Sequence, residues 1–138
     1  MIKLILDTNF LLIPYTMNVD IFAEIQRIMD VPYEICIIQE TIDELEKIIK
    51  EQKGKHKEAA RLALKLIEVK KLVILETKQK DLKRRLISKE IVVDDVIINI
   101  VDNNFIVATQ DKELKKKLLN KGINCICLKS RKLIKNVL

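Results

Sequence analysis

The sequence predicts an α/β fold in which a parallel sheet lies between layers of helices. Three observations carry that expectation. Short apolar runs recur along the chain, and the first of them, Ile2-Lys3-Leu4-Ile5-Leu6, has no amphipathic gap beyond Lys3, as a strand buried on both faces would read. These runs alternate with segments whose apolar residues repeat at helical spacing. Acidic residues follow the runs at the points where the helices begin, the edge at which an open α/β sheet builds its sites.

Taken in order, the first strand ends at Asp7-Thr8-Asn9. Val19 to Met29 is a helix through Ile21, Phe22, Ile25 and Ile28, and Pro32-Tyr33 marks a turn. Glu34 to Ile38 is a second strand. Thr41-Ile42-Asp43-Glu44 opens a helix that runs through Leu45, Ile48 and Ile49 to near Gly54, and Lys57 to Lys70 forms another with Ala60, Leu62, Ala63, Leu66 and Ile67 inward. Leu72 to Leu75 is a third strand, and Lys78 to Glu90 has helical character. Asp94-Asp95 opens the helix Val96 to Asp102, Phe105 to Thr109 is a fourth strand, and Asp111 to Lys121 is a helix closed by Gly122. Ile123 to Leu128 is the fifth strand. No internal repeat appears, so residues 1–138 read as one domain with a short basic tail from about residue 129.

Composition narrows the chemistry. With 49% hydrophobic residues in 138, the chain has ample material for a core, and no apolar run approaches a membrane span or a signal peptide, so a soluble, cytoplasmic protein is expected. Cys36, Cys125 and Cys127 all sit in apolar runs, an odd count in strand context that reads as packing rather than as a disulfide framework or a metal cluster. The single histidine, His56, lies in the polar turn Lys53-Gly54-Lys55-His56-Lys57, which excludes a histidine-based triad or zinc site. The net charge of +6 gathers in Lys83-Arg84-Arg85, Lys115-Lys116-Lys117 and the stretch Lys129, Arg131, Lys132, Lys135. It suits a polyanionic partner, and equally a solvated surface.

The acids Asp7, Glu44, Asp94, Asp95 and Asp111 all stand where helices begin. Capping alone explains each of them singly, and Thr41-x-x-Glu44 matches a capping box. Together they demand more. Right-handed crossovers place all these helix starts on one sheet edge, with Asp7 and Asp111 following two strands expected to lie side by side. Two carboxylates ~5 Å apart repel by about 3 kcal/mol at an effective dielectric of ~20. An oxygen-only cluster of this kind, without His or Cys, suits Mg²⁺ or Mn²⁺.

The same residues carry a resemblance. Asp7-Thr8-Asn9-Phe10-Leu11-Leu12, Glu44-Leu45-Glu46, Asp94-Asp95-Val96-Ile97-Ile98 and Ala108-Thr109-Gln110-Asp111-Lys112-Glu113-Leu114 look like the four acidic motifs of PIN domains, in order and over nearly the whole chain. The chain most resembles compact archaeal PIN proteins similar to the small-subunit rRNA-processing branch and to VapC-type toxins. The resemblance implies a three-layer α/β/α sandwich with a five-stranded parallel sheet and a divalent-metal-dependent endoribonuclease. Carried over by position, the catalytic, metal-holding acids are Asp7, Glu44, Asp95 and Asp111, with Asp94 a neighbour that contributes to the metal site, and with Asn9 and Thr109 as polar supports. Gln110 departs from the family pattern, in which small residues or Asn are common at that position.

The chemistry so implied is metal-assisted hydrolysis of a phosphodiester by water. RNA is the expected substrate, with Lys115, Lys116 and Lys117 tracking its backbone, and Tyr15 or Phe10 candidates for stacking on a base, although a core role is expected for Phe10. A small antitoxin protein and a homodimer are the other partners that the resemblance brings into view. A non-catalytic RNA- or protein-binding module is the alternative, and the complete set of acids weighs against it. A receiver-like phosphotransfer domain needs an acceptor Asp after the third strand, where this chain has Glu76-Thr77. In the acidic doublet, Asp94 is expected as the N-cap and Asp95 as the residue turned into the pocket.

Overall fold

The computed structural model describes residues 1–77 and 93–135, so the helix expected over Lys78 to Glu90 lies outside the described residues. Six strands form one sheet: β1 (Ile2–Leu6), β2 (Tyr33–Ile38), β3 (Val73–Leu75), β4 (Phe105–Ala108), β5 (Asn124–Lys129) and β6 (Lys132–Lys135). The helices are α1 (Thr8–Leu11), α2 (Ile13–Thr16), α3 (Ile21–Ile28), α4 (Gln39–Glu51), α5 (Lys55–Val69), α6 (Val93–Ile100) and α7 (Lys112–Asn120). Strand order is β3-β2-β1-β4-β5-β6, with the first five strands parallel and β6 antiparallel to β5. The expected parallel sheet between helices is therefore present, with one strand more than five.

Alternation along β1 divides the core. Leu4 and Leu6 face α1 to α5 in a cluster that includes Phe10, Ile21, Ile25, Leu45, Ala60 and Ala63. Ile5 points the other way, into a second cluster with Val96, Ile97, Leu114 and Leu118 from α6 and α7. A strand buried on both faces must be apolar at both parities, which is why its sequence lacks a polar alternation. Small residues Ala59, Ala60 and Ala63 on the buried face of α5 let it pack closely against α4 and α2. Cys36, Cys125 and Cys127 are buried thiols, and burial pushes those of Cys36 and Cys125 up to about 11, as inert packing residues require.

Local signals close the elements. The Asp20 carboxylate caps α3 by accepting from the Phe22 and Ala23 N–H groups, both at 3.1 Å. Gly122, at φ +85°, ends α7, and the following Ile123 N–H reaches back to the Leu118 carbonyl at 2.9 Å, the bond that closes a left-handed helix cap. No helix among the described residues is long and apolar enough to cross a membrane.

Residues 129–135, expected as part of a basic tail, instead complete a hairpin. Ser130 and Arg131 both adopt positive φ (50° and 67°), the geometry of a tight two-residue turn, without the Asn or Gly that ordinarily announces one. Arg131 holds the turn down by donating to the Met17 and Asn18 carbonyls, each at 2.8 Å. Lysines flank β6, a common way of protecting a sheet edge.

What matters for function is the order of the strands. The chain steps from β1 outward to β2 and β3, then returns past β1 to lay down β4 and β5 on its other side. The carboxyl ends of β1 and β4 therefore flank the switch point of the sheet, where adjacent connections diverge and leave a crevice. β1 and β4 pair directly, with Leu6 opposite Ala108.

Candidate active site

Asp7 leaves β1 at this crevice and is 2% exposed. One carboxylate oxygen accepts from the Thr8 N–H at 2.8 Å, and the other accepts from the Thr109 hydroxyl at 2.8 Å. Thr109 stands one residue beyond β4 and its Oγ1 in turn accepts from the Asp111 N–H at 3.1 Å. One buried hydroxyl thus fixes both the first and the last acid, which is how the polar support expected at Thr109 is realised. Asp111 is also the N-cap of α7, accepting from the Glu113 and Leu114 N–H groups at 2.9 and 3.1 Å. Capping and membership of the acid cluster are here two roles of one side chain.

Glu44 arrives from α4. Its Oε2 lies 3.3 Å from the Thr8 hydroxyl, which also lies 3.3 Å from Thr41 Oγ1 and donates its one proton to one of them at a time. The capping box expected over Thr41 to Glu44 does not form. The helix already begins at Gln39, so Thr41 is inside it and is used to seat Thr8 instead.

The acidic doublet resolves differently from expectation. α6 begins at Val93, so Asp94 lies within its first turn rather than at the cap. Asp94 is half-buried and faces the other acids, whereas Asp95 points to solvent. Burial, the charges of Asp7 and Asp111, a hydrogen bond to Asp111 and the charge of Glu44 push the Asp94 carboxyl up to about 7. At neutral pH, Asp94 is therefore protonated part of the time in the absence of a cation. Burial also raises the Asp7 carboxyl; its hydrogen bonds with Thr109 and Thr8 offset part of that rise, and the Asp111 charge adds to it.

The structure thus brings together Asp7, Glu44, Asp94 and Asp111 and leaves Asp95 outside. The physical reason is helical rotation: consecutive residues differ by about 100° around the axis, so only one member of a doublet can face the crevice. Asn9 is exposed at the mouth of the same pocket. Among the described residues, no three His, Cys, Asp or Glu side chains already stand in metal-ligating arrangement.

The crevice continues as a trough of about 680 Å³ along one face of α4. Glu40, Glu44, Ile48 and Gln52 succeed one another at i+4, and Asp43, Lys47 and Glu51 form a parallel row. Glu40 was not among the acids expected at the site. It is 4% exposed, its Oε2 accepts from the Thr77 hydroxyl, and its Oε1 is buried without a hydrogen-bond partner among the described residues. An unmet buried acceptor costs roughly 1–3 kcal/mol. The sequence signal was its i+4 spacing to Glu44, obscured because the helix starts two residues before Thr41.

The lysine run divides as well. Lys116 and Lys117 are exposed on α7, but Lys115 is 5% exposed and lies on the buried side with Leu114 and Leu118. Phe10 is core, and Tyr15 is 43% exposed near the first motif. Gln110 makes a two-sided contact with the end of β5: its side-chain amide donates to the Leu128 carbonyl at 3.1 Å and accepts from the Leu128 N–H at 2.6 Å.

Three comparisons with known proteins bear on this arrangement. A family model described as a PIN like domain matches residues 4–131. A protein of Methanocaldococcus jannaschii named ribonuclease VapC4 is 34% identical over 136 residues, covering 96% of this chain and 94% of that protein. The solved structure of the PIN domain endonuclease Utp24 superposes with a TM-score of 0.74 at 24% identity, covering 99% of this chain and 92% of that one, a likeness of fold.

Proposed function

This chain belongs to the PIN-like domain family, and from that premise we propose that it is a divalent-metal-dependent endoribonuclease acting on RNA phosphodiester bonds. The observation that carries the reading is the convergence of Asp7, Glu44, Asp94 and Asp111 at the switch point, with Asp94 and Asp111 in hydrogen-bond contact. Four like charges there are costly unless a cation offsets them, and the donor set is oxygen only, as Mg²⁺ and Mn²⁺ prefer. The buried, unpaired Oε1 of Glu40 beside them fits the same need. The ribonuclease named above, similar along nearly its whole length, supports RNA as the substrate.

Asp7, Glu44, Asp94 and Asp111 would hold the ion. A bound Mg²⁺ or Mn²⁺ supplies positive charge that makes water a better nucleophile and stabilises charge developing on phosphate oxygens. The protein's own contribution is preorganisation. Thr109 and the Thr8 N–H lock the Asp7 carboxylate, α7 locks Asp111, and Thr8 orients Glu44. With a cation held there, the Asp94 carboxyl would be ionised, its opposing charges offset. Exposed Lys116 and Lys117 supply backbone contacts to RNA, and the partial burial of the acids keeps their charges effective.

The test is calorimetric titration of Mn²⁺ into the wild-type chain and the Asp7→Asn variant, beside cleavage of a mixed RNA substrate. Wild type is expected to bind Mn²⁺ and cut only with it, and Asp7→Asn to lose both while melting no lower than wild type without metal. Cleavage that survives in the variant defeats the assignment. A small antitoxin-like reading frame immediately upstream distinguishes a VapC-type toxin, with that small protein as partner, from an RNA-maturation nuclease.

A further inference from the structure

The turn between β5 and β6 carries charges for which the acid cluster has no use. Lys129 and Lys132 stand directly opposite each other across the hairpin, with Arg131 between them in the chain. Like charges so paired are destabilising. All three residues are exposed, and none forms an ion pair among the described residues. Glu24 feels the charge of Lys132, but Arg27 and the Leu133 N–H already engage its carboxylate. Protection of the sheet edge accounts for lysines on β6, yet Lys129 belongs to the inner strand.

The turn is tied to a second exposed stretch. Arg131 keeps its charge while its guanidinium donates to the Met17 and Asn18 carbonyls. Tyr15-Thr16-Met17-Asn18 is exposed at every residue and contains no acid, with Tyr15 43% and Met17 44% exposed. β5 is parallel to β4, and β4 to β1, so the turn lies at the same sheet edge as the acids. Two to three strand spacings separate it from the end of β1, roughly 10–15 Å. On the other flank of the crevice, the trough along α4 presents Asp43, Glu44 and Glu51. The two flanks therefore carry opposite charge, and a polyanion is drawn to the hairpin side.

We propose that the β5–β6 turn and Tyr15–Asn18 form one platform for the RNA strand that flanks the cut. Lys129, Arg131 and Lys132 take backbone phosphates, and Tyr15 stacks on a base. The strand thus passes over β4 and β5 rather than along α4. Cations beside an exposed aromatic ring are a means of holding single strands without a sequence code. The RNA on this side must be unpaired, because a base has to be free to stack. The proposal rests on the RNA reading given above.

The experiment is fluorescence anisotropy of a labelled single-stranded RNA titrated with the full chain over a series of salt concentrations, with metal chelated so that nothing is cut. The double variant Lys129→Ala, Lys132→Ala should reduce the slope of log affinity against log salt by up to ~1.4, at ~0.7 per lost phosphate contact. Relief of the facing charges should let it melt at or above the wild-type temperature. Tyr15→Leu should weaken binding about 5- to 150-fold with the slope unchanged, and Tyr15→Phe should bind as wild type does. None of these variants should alter Mn²⁺ affinity. In a wild-type chain that binds RNA, an unchanged slope in the double variant, or wild-type affinity in Tyr15→Leu, overturns the platform alone. A wild-type chain without measurable RNA binding overturns the RNA reading itself. A wild-type dimer that Met17→Glu dissociates with RNA affinity kept overturns the platform too, and gives this surface to a second copy of the chain.

Discussion

Replacing Asp94 by Asn separates the cost of the acid cluster from its use. Asp94 has a carboxyl raised from 3.8 to about 7 by burial first and by Asp7, Asp111 and Glu44 after it. A carboxyl with a raised folded-state pKa stabilises the fold below its unfolded pKa, and that contribution is lost as pH climbs through the folded value. The window runs from about pH 4 to above 7. The full shift of about three units corresponds to ~4 kcal/mol. Asp94 is half-exposed, so solvent screening leaves about 2 kcal/mol. Without metal, wild type should thus melt roughly 4–7 °C lower at pH 8 than at pH 5 from this source, since about a third of the effect is already lost by pH 5, with Asp7 adding in the same direction. The carboxamide introduced by Asp94→Asn keeps a donor for Asp111 and carries no charge, so this variant should be flatter across that range and more stable than wild type at pH 8. Added Mn²⁺ should reverse the order, raising wild type by RT ln(1 + [Mn²⁺]/Kd) and leaving the variant nearly unmoved. Differential scanning calorimetry at pH 5 and 8, with and without Mn²⁺, measures all four quantities. Asp95→Asn is the control and should track wild type throughout. A variant Asp94→Asn that is less stable than wild type at pH 8 without metal would refute the reasoning, because Asp94 would then be an ordinary helix-start acid.

Thr109→Val removes the hydroxyl that holds Asp7 and receives the Asp111 N–H; it should cost about 1–3 kcal/mol and weaken Mn²⁺ binding about 10–100-fold, and unchanged affinity would show that Asp7 is positioned without it. Replacing Lys116 and Lys117 by Ala should reduce the slope of log affinity for single-stranded RNA against log salt by up to ~0.7 per lost contact, and an identical slope would return both to a solvated helix face. Lys115→Met, at a buried position, should leave that slope alone, and a fall in slope equal to that of a surface lysine would show that its ammonium reaches RNA.

The parts of this protein that were legible in advance are those governed by period and polarity. β1, β2, β4 and β5 announce themselves as apolar runs, and right-handed crossovers then gather the acids on one edge. What the pattern could not resolve were choices of a single residue or a single turn. Asp94 and Asp95 each have apolar neighbours at i+3, so amphipathicity does not rotate α6 one way or the other. Glu40 was hidden by a helix that starts at Gln39 with no side-chain cap. Lys115 reads as one of three surface lysines, yet its long aliphatic stem allows burial beside Leu118. β6 follows a turn of Ser130 and Arg131, residues with little turn signal of their own, held by arginine bonds to carbonyls more than a hundred positions away.

The Gln110 contact has a consequence for how firmly the last acid is held. Its carboxamide presents one donor and one acceptor to Leu128 as a peptide group would, so the sheet's hydrogen bonding runs on for one more rung after the β4 backbone has turned away. The loop carrying Asp111 is thereby splinted to β5, which is itself laced to β6 through Leu128 opposite Leu133. Asparagine or a smaller residue here lacks the reach to serve as that rung. In this chain the loop that carries the last acid is therefore tied to an outlying strand as well as to its own helix and to Thr109.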